Sequence, residues 1–316
     1  MQEFELIGTI FAPLAGEGAF GLKDDAAIIP ARPGFDLVVT TDAVAEGTDF
    51  FAFDPADSVA RKALRVNLSD LAAKGAAPHG YLLTIALPPS ITPDWLAVFA
   101  QGLAQDQREF GVAVLGGDTA RTEGPLSISI TAFGFVPQGA MVRRAGARLG
   151  DDVYVTGVIG DSGGGLAIFR RERHALSEDM RDALIARYRV PQPPVVFGAY
   201  HLRDFANAAV DVSDGLLADL GHISAASGVK LVLDADAIPR SAALRAFWGD
   251  EDAAIIRAAT AGDDYQIAFT AAPAHREAIA SHGFATRIGE AVVGQGSELV
   301  RHGRVLPVAR TGFVHF

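Results

Sequence analysis

Apolar residues along the first half of the chain fall into short runs of strand length and longer stretches with helical spacing. The short runs, rich in Val, Leu and Ile, predict strands over residues 36–41, 81–87, 112–115 and 126–136. Helical spacing over residues 58–74 predicts a helix with Asp57 or Ser58 as its N-cap. A second helix is predicted over residues 94–110, with Pro93 near its first turn. Strands and helices therefore alternate in this half.

The second half repeats this alternation. Strands are predicted over residues 152–156, 208–212 and 267–270, and helices from Gly165 onward and over residues 215–227 and 273–282. Between the two halves, residues 143–150 are basic, contain glycine and have no periodicity, which is typical of a domain junction. The sequence predicts a mixed α+β fold of two α/β domains, 1–142 and 143–316.

Composition and charge exclude several classes of protein. The 316 residues include no cysteine, which excludes disulfides, thiolate zinc sites, iron–sulfur clusters and cysteine nucleophiles. A net charge of −11 argues against a nucleic-acid partner. The N-terminus lacks a basic segment followed by an apolar one, and no apolar run is long enough to span a bilayer. We expect a cytoplasmic protein with no membrane partner.

Aspartates stand where the predicted strands end. Asp42 follows the first strand, and the motif Gly116-Gly117-Asp118-Thr119 follows the third. The strand over residues 208–212 carries Asp211 and runs into Ser213 and Asp214, while Asp24-Asp25 precedes an apolar run. Ligands of open α/β sheets bind beyond the carboxyl ends of strands, so these residues are candidates for one site. Helix capping is an alternative role for Ser162, Ser213 and Asp214.

Asn67 and Asp70 interrupt the apolar stripe of the predicted helix 58–74. A carboxylate on a core-facing stripe is costly unless it is paired or binds a metal. Asp70 has a possible partner in Lys74, one turn further along the helix. The alternative is that Asp70 is a metal ligand.

Clustered aspartates, threonines and glycines suit phosphoryl transfer with Mg²⁺. That reaction needs positioning and charge neutralisation more than covalent help, and Mg²⁺ prefers oxygen ligands. Gly116 and Gly117 would allow backbone N–H groups to approach phosphate oxygens. Arg143 and Arg144 are the nearest fixed cations in the sequence, unless they belong to a solvated loop. The chain has no Walker A sequence, so a nucleotide enzyme here would use another device.

Gly160-Asp161-Ser162-Gly163-Gly164 fits the G-x-S-x-G pattern of a serine hydrolase. Asp211 and His222 follow Ser162 in the chain order that α/β-hydrolases require. However, the sequence has no HGGG-type oxyanion loop, and this reading leaves the other aspartate motifs unexplained. A serine hydrolase using Ser162 is therefore the distant alternative.

Motifs in order along nearly the whole chain resemble those of the thiamine-monophosphate kinases. They include GLKDDAAII, VVTTDAVAEG, NLSDLAAKGAAP, LGGDT, MVRRAGARLGD, VDVSDGLLADLGHI, AGDDYQIAFT and the terminal GFVHF. The wider superfamily contains aminoimidazole ribonucleotide synthetase and other ATP users, built as two α/β domains and usually dimeric. The resemblance implies a homodimer that transfers the ATP γ-phosphate directly and in line to thiamine monophosphate, giving thiamine diphosphate.

The resemblance also assigns roles to individual residues. It implies several Mg²⁺ ions held by Asp25, Thr40, Thr41, Asp42, Asp70, Asp118, Asp211 and Asp214. It implies ATP contacts from Gly117, Asp118, Arg144 and Ser213, with Arg144 also stabilising charge during transfer. No covalent enzyme intermediate is expected.

Departures from the family pattern cluster on the substrate side. Asp49 stands where the family has a histidine, Asp263 where it has a glutamate, and Arg310 near the place of an aromatic residue. These three residues are the candidate substrate contacts. An ATP-dependent enzyme of the same superfamily with a different acceptor is therefore the main alternative. Phe50, Phe51 and Phe53 form an aromatic group for which ordinary packing and a lid over substrate are both open.

Overall fold

The computed structural model describes residues 3–172 and 175–313. The end of the terminal GFVHF motif, 314–316, lies outside the described residues. Two compact units make up the chain. The first takes in the chain as far as Leu71 together with Ala76–Met141, and the second takes in Ala72–Gly75 and the chain from Val142 onward. We refer to them as the N-terminal and C-terminal units.

A four-stranded sheet with two long helices forms the N-terminal unit. Its main elements are β1 (Phe35–Ala45), α2 (Ala56–Ala73), β2 (Ala77–Leu87), α3 (Pro93–Phe110), β3 (Ala113–Arg121) and β4 (Ser127–Pro137). Before them come α1 (Glu3–Leu6), a π-helix over Ile7–Phe11 and two 3₁₀ turns, Ala12–Leu14 and Phe20–Leu22. The strand order is β1-β4-β2-β3, so β1 and β3 are the edges. Only β2 and β3 run parallel to each other, whereas β4 is antiparallel to both of its neighbours.

The apolar stripe of α2 packs into the core of this unit. Ala60, Ala63, Leu64 and Leu71 are at most 2% exposed. Helix α3 begins with Thr92 as its N-cap, whose side chain accepts from the Trp95 N–H, and Pro93 stands in its first turn. Both predicted helices of this unit are therefore confirmed, but α2 begins at Ala56, so the prediction of Asp57 or Ser58 as its N-cap was wrong.

Two predicted strands were too short, and the difference changes the setting of the candidate site. Strand β1 continues through Asp42 to Ala45, and β3 continues through the Gly-Gly-Asp-Thr motif to Arg121. Neighbouring strands extend them, since Asp42 pairs with Ile130 of β4 and Asp118 pairs with Thr84 of β2. These aspartates are strand residues, and the expectation that they follow strand ends was wrong.

A mixed seven-stranded sheet forms the C-terminal unit. Its strands are β5 (Asp152–Thr156), β6 (Ala206–Asp211), β7 (Lys230–Asp234), β8 (Ile267–Ala271), β9 (Ala285–Val292), β10 (Gly296–Arg301) and β11 (Arg304–Val305). They lie in the order β11-β10-β7-β9-β5-β8-β6. Its helices are α4 (Asp161–Phe169), α5 (Glu178–Arg189), α6 (Val195–Tyr200), α7 (Leu202–Phe205), α8 (Leu216–Ser227), α9 (Ala242–Trp248), α10 (Asp252–Thr260) and α11 (Arg276–His282).

The predicted elements of the second half are present with shifted ends. Helix α4 begins at Asp161 rather than near Gly165, because Gly160 precedes it with φ of 92°. The predicted helix 273–282 is a 3₁₀ turn over Pro273–His275 that continues into α11. Helix α8 packs its apolar face, including Leu216, Leu220 and Ile223, into the core cluster of this unit. Mixed sheets with helices in both units confirm the predicted fold class.

Candidate active site

Strand β1 and helix α2 bring three predicted metal ligands close together. The Thr40 hydroxyl donates to the Asp70 carboxylate, and the main-chain N–H of Asp42 donates to Asn67 Oδ1 at 3.0 Å. Asp42 is exposed, Asp70 is half-buried and Asn67 is buried. Asp70 thus has a partner on β1, while Lys74 Nζ donates to the carbonyl oxygen of Ala209 at 2.8 Å.

Thr41 lies between these residues and faces the other side of the sheet. Side chains alternate along a strand, so Thr41 points away from the face toward which Thr40 and Asp42 point. Its hydroxyl donates to the carbonyl oxygen of Ile130 at 3.1 Å and accepts from the Thr131 hydroxyl at 3.1 Å. Strand β1 therefore carries side-chain oxygens that could bind a metal ion on both of its faces.

A cavity of about 690 Å³ lies within the N-terminal unit. Its polar lining comes from Asp24, Asp25, Thr84, Asp118, Thr119 and Thr131. Its apolar lining includes Ile7, Phe11, Leu22, Leu82 and Phe133, and no lysine or arginine is among its lining residues. The volume suits a ligand of drug or nucleotide size. The cavity is thus large, partly apolar and acidic.

The backbone at Gly117 explains why the motif beside this cavity requires glycine. Gly117 has φ of 154°, and a Cβ there would lie 1.7 Å from the carbonyl oxygen of Leu83. A side chain would therefore collide with the neighbouring strand β2. The glycine lets β3 stay paired with β2 while Asp118 remains exposed at the cavity.

The predicted metal ligands of the N-terminal unit thus form two groups. Thr40, Asp42 and Asp70 lie at the contact between β1 and α2, whereas Asp25 and Asp118 line the cavity. Thr41, on the other face of β1, accepts a hydrogen bond from the cavity residue Thr131. All six predicted ligands have side-chain oxygens and are exposed or half-buried, and oxygen ligands are those that Mg²⁺ prefers in proteins. The donor set therefore fits the magnesium ions that the family resemblance implies.

Asp211, Ser213 and Asp214 lie at the end of β6 and in the loop before α8. The loop is held by Asp219, whose Oδ2 accepts the N–H groups of Ser213, Asp214 and Gly215 at 3.0–3.1 Å. Burial, together with the nearby negative charge of Asp214, raises the pKa of Asp219 to about 7. Possible ligand atoms of Asp214, Asp219 and His222 lie within 4.8 Å of one another. Sequence reasoning missed Asp219, although an acid among the leucines of LLADL was a usable signal.

Asp263 belongs to a strained loop that contacts the same segment. Asp263 and Tyr265 are non-glycine residues with φ of 68° and 50°, a conformation that persists only when surrounding contacts enforce it. Their N–H groups donate to the carbonyl oxygens of Ser213 and Val212 at 2.8 and 2.7 Å. The Tyr265 hydroxyl donates to Asp263 Oδ1 at 3.2 Å. Asp263 is therefore tied to the Ser213 loop.

Asp264, between those two residues, points into the protein. Its Oδ2 accepts the Gly160 N–H at 2.7 Å, which links this loop to the start of α4. Burial raises the pKa of Asp264 well above its ordinary value. The sequence reading passed over this residue, because two consecutive aspartates in a loop give no sign of which one is buried.

The candidate cations and Arg310 are accessible. Arg143, Arg144 and Arg310 are all exposed. The carbonyl oxygen of Arg143 accepts the Ala209 N–H at 2.9 Å, which joins this segment to β6. Roles of these arginines toward a ligand stay predictions.

Asp49 holds the turn after β1. Its Oδ2 accepts the Ala45 N–H at 2.8 Å, and its carbonyl oxygen accepts from the buried Lys62 ammonium at 2.7 Å. Beyond the turn, Phe50 is buried, while the rings of Phe51 and Phe53 stack at 5.0 Å with Phe53 62% exposed. Packing thus accounts for Phe50, whereas Phe51 is half-buried and Phe53 is exposed, and a lid formed by these two rings stays a prediction.

Ser162 lies in the first turn of α4 and is 1% exposed. The small cavity beside it is lined by Asp161, Arg187, Asp263 and other residues, with no histidine among them. A serine nucleophile must be accessible and must contact a general base. The geometry therefore disfavours the serine hydrolase alternative.

Comparison with known proteins first gives the class. Residues 23–136 match the family AIR synthase related protein, N-terminal domain, and residues 148–302 match the corresponding C-terminal domain. The fold is thus that of an AIR synthase related protein. Within that class, the chain belongs to the thiamine-monophosphate kinase family, as its resemblance to that family predicted.

Three relatives support this assignment. The thiamine-monophosphate kinase of Caulobacter vibrioides is 42% identical over 323 residues, covering 99% of this chain and 90% of its own. A crystal structure of the Stenotrophomonas maltophilia enzyme has a TM-score of 0.83 at 41% identity, covering 90% of this chain and 91% of its own. AaThiL complexed with AMPPCP and TMP has a TM-score of 0.81 at 30% identity, covering 100% and 99%.

Among the described residues, no helix combines the length and the apolar character needed to cross a membrane.

Proposed function

We propose that this protein is a kinase that transfers the γ-phosphate of ATP directly and in line to thiamine monophosphate, giving thiamine diphosphate. Family membership at 42% identity over nearly the whole chain supports the reaction. The complex of a relative with AMPPCP and TMP supports ATP as the phosphoryl donor. No side chain needs to form a covalent intermediate, since the acceptor phosphate is itself the nucleophile.

One structural observation carries this proposal. The cavity of about 690 Å³ is lined by three aspartates and by no lysine or arginine. Such a cavity would repel a polyphosphate unless divalent cations lie between carboxylates and phosphates. Magnesium ions bound there would neutralise phosphate charge. A nucleotide with its metals is therefore the ligand that fits both the acidic and the apolar lining.

We assign the residue roles accordingly. Asp25, Thr40, Thr41, Asp42, Asp70, Asp118, Asp211 and Asp214 would hold Mg²⁺ through carboxylate and hydroxyl oxygens. Gly117, Asp118, Arg144 and Ser213 would contact ATP, and Arg144 would stabilise the charge that moves during transfer. Asp49, Asp263 and Arg310 would contact the acceptor, with Asp263 held in place by the Tyr265 hydroxyl.

We further propose a homodimer formed through the open face of the N-terminal sheet. Phe35, Leu37 and Val39 alternate along the edge strand β1 and are 49%, 46% and 54% exposed. Three large apolar side chains in one exposed row are typical of an interaction site. A second copy of the chain offers the same row, so a symmetric contact would cover both.

Asp49 supports the second candidate, an enzyme of the same superfamily that phosphorylates a different acceptor. It replaces a family histidine that could carry positive charge near a substrate phosphate. In this chain the Asp49 carboxylate accepts the Ala45 N–H, so Asp49 also stabilises the turn after β1. The acceptor therefore has to be tested directly.

Purified protein would be incubated with Mg²⁺ and ATP, with thiamine monophosphate or with another phosphate monoester as the acceptor. We expect ADP release only with thiamine monophosphate, with an equal amount of thiamine diphosphate by chromatography. ADP release that requires a different monoester would favour the second candidate. No acceptor-dependent ADP release would contradict both.

A further inference from the structure

Asn67 is a fully buried polar residue on α2 that the proposed reaction does not use. Its side chain is 0% exposed and stands on the apolar stripe of the helix. Its Oδ1 accepts the main-chain N–H of Asp42 at 3.0 Å, and its Nδ2 donates to the carbonyl oxygen of Ala63 at 3.0 Å. The amide therefore joins the helix backbone to the strand backbone at a predicted metal ligand.

The position of β1 explains why this contact is needed. It is an edge strand with β4 as its one strand neighbour, so N–H groups on its other side have no strand to pair with. Asn67 supplies a side-chain acceptor for the N–H group of Asp42. Two residues earlier, the side-chain hydroxyl of Thr40 donates to the Asp70 carboxylate, which is a second contact between β1 and α2.

The Ala63 carbonyl fixes which way the amide of Asn67 points. That carbonyl oxygen is an acceptor, so it requires the NH₂ group, and the amide oxygen is left to face Asp42. A side chain held at both ends has little freedom. It therefore fixes the main chain from which the Asp42 carboxylate projects.

We infer that Asn67 is a positioning residue, which holds Asp42 in the geometry needed to bind a divalent cation. This inference rests on the proposed function, in which Asp42 is a metal ligand. Groups that orient metal ligands typically change metal affinity or activity by about 10–100-fold when they are removed.

Asn67→Ser should keep the hydrogen bond to the helix carbonyl and remove the hydrogen bond from the Asp42 N–H. A serine hydroxyl on a helix can still donate to the carbonyl oxygen four residues earlier, but it is too short to replace the amide oxygen at Asp42. Val66→Ala is the matched control, since Val66 is a neighbour on α2, is 2% exposed and has no polar atom to offer β1. Both variants change a buried side chain of α2 and should lower the stability of the protein, but only Asn67→Ser removes the contact with Asp42.

Mn²⁺ binding to the nucleotide-free protein is the decisive readout, measured by electron paramagnetic resonance or calorimetry. We expect Asn67→Ser to weaken Mn²⁺ binding by about 10–100-fold and to lower kcat/KM for ATP by a similar factor. The KM for thiamine monophosphate should stay close to the wild-type value. Val66→Ala should lower the Tm while leaving Mn²⁺ affinity unchanged.

Folded Asn67→Ser protein that binds Mn²⁺ as tightly as Val66→Ala would overturn the inference. Should Asn67→Ser not fold, hydrogen exchange of the wild-type protein still tests the contact. A slowly exchanging Asp42 amide is expected, and exchange as fast as that of an exposed loop amide would overturn the inference.

Asp42→Asn distinguishes this failure from a failure of the proposed function. If Asp42→Asn retains Mn²⁺ binding and turnover, Asp42 is not a metal ligand and the proposed site is wrong, whatever Asn67 does. If Asp42→Asn loses both while Asn67→Ser keeps both, the inference about Asn67 alone is wrong.

Discussion

The aspartates of this protein have different roles, and residue type alone does not show which of them shape the fold and which could bind a ligand. Asp219 and Asp264 are buried carboxylates that accept backbone N–H groups, while Asp42 and Asp118 are exposed strand residues. A carboxylate that accepts several N–H groups shapes the loop to which they belong, whereas an exposed carboxylate can be reached by a cation from solvent. Exposure and hydrogen-bond partners therefore separate these aspartates.

At the residue scale, we predict that Asp42→Asn abolishes phosphoryl transfer. The amide keeps the size of the side chain and removes the negative charge that a cation requires. The main-chain contact with Asn67 does not involve the replaced atoms, so the fold should persist. Activity assays with circular dichroism would check this, and Asp36→Asn on the same strand is the control. Turnover equal to that of the control would remove Asp42 from the site.

Residue types in motifs could be predicted from the sequence, but their partners could not. The stripe on α2 marked Asn67 and Asp70 as unusual, and Lys74 was one possible partner for Asp70. The partner that the structure shows is Thr40, which is thirty positions away in the sequence. The spacing of residues along one helix predicts contacts within that helix, but it does not predict which strand packs against it. The same limit hid the role of Asp264.

Elements are positioned by a buried ionic contact between α2 and α3 that the sequence reading missed entirely. Arg65 Nε donates to Asp106 Oδ2 at 2.7 Å and its second nitrogen donates to Oδ1 at 2.8 Å. Arg65 is 1% exposed and Asp106 is 0% exposed. Arg61 adds a further contact to Asp106 at 2.9 Å. This contact orients the helix that carries Asn67 and Asp70.

We predict that Asp106→Ala lowers the free energy of unfolding by about 3–5 kcal/mol, because it leaves the buried guanidinium of Arg65 without its main partner. Urea unfolding would measure the change. Arg108→Ala, an exposed position on the same helix, should cost well under this amount. A change at Asp106 no larger than that at Arg108 would contradict the proposed importance of the pair.

Strand β5 gives a prediction about pH. Burial alone would raise the pKa of Asp152, but hydrogen bonds from Arg276 and Arg287 outweigh it and hold the pKa below its ordinary value. The stabilisation is therefore complete above the unfolded-state pKa of about 3.9 and is lost as pH falls through the lower folded-state value. We expect the wild-type protein to lose its stability advantage over Asp152→Asn below about pH 4. A stability difference between the two proteins that does not change with pH would contradict this prediction.

The extent of the elements was also only partly predictable. Strong apolar runs located β2, β4, β5 and β8, since such runs are buried on a sheet. The ends of β1 and β3 were missed because they begin with Asp and Gly, which are poor strand formers and pair there only through the neighbouring strands. Strand pairing of this kind depends on tertiary structure.

The whole molecule combines an acidic net charge of −11 with a function in binding polyphosphate. Because the cavity is lined by aspartates and by no lysine or arginine, a polyphosphate bound there would need cations between the carboxylates and the phosphates. Each α/β unit has its own sheet and carries some of the candidate site residues.

At this scale, we predict that Val39→Glu weakens self-association. The substitution places a charge in the exposed apolar row of β1, where a symmetric contact would bring two such charges together. Sedimentation should show a dimer for the wild-type protein and a monomer for Val39→Glu. Val293→Glu, at an 82% exposed site of the C-terminal unit, is the control and should remain dimeric. A wild-type monomer would contradict the proposal.

The most direct test of the central claim follows the phosphoryl group itself. ATP labelled with ¹⁸O in its γ-phosphate would be mixed with thiamine monophosphate, Mg²⁺ and the protein, and the product examined by mass spectrometry. Direct transfer predicts thiamine diphosphate that carries the label in its terminal phosphate, with no labelled protein at any time. Label found only in inorganic phosphate, or on the protein before product forms, would contradict direct transfer.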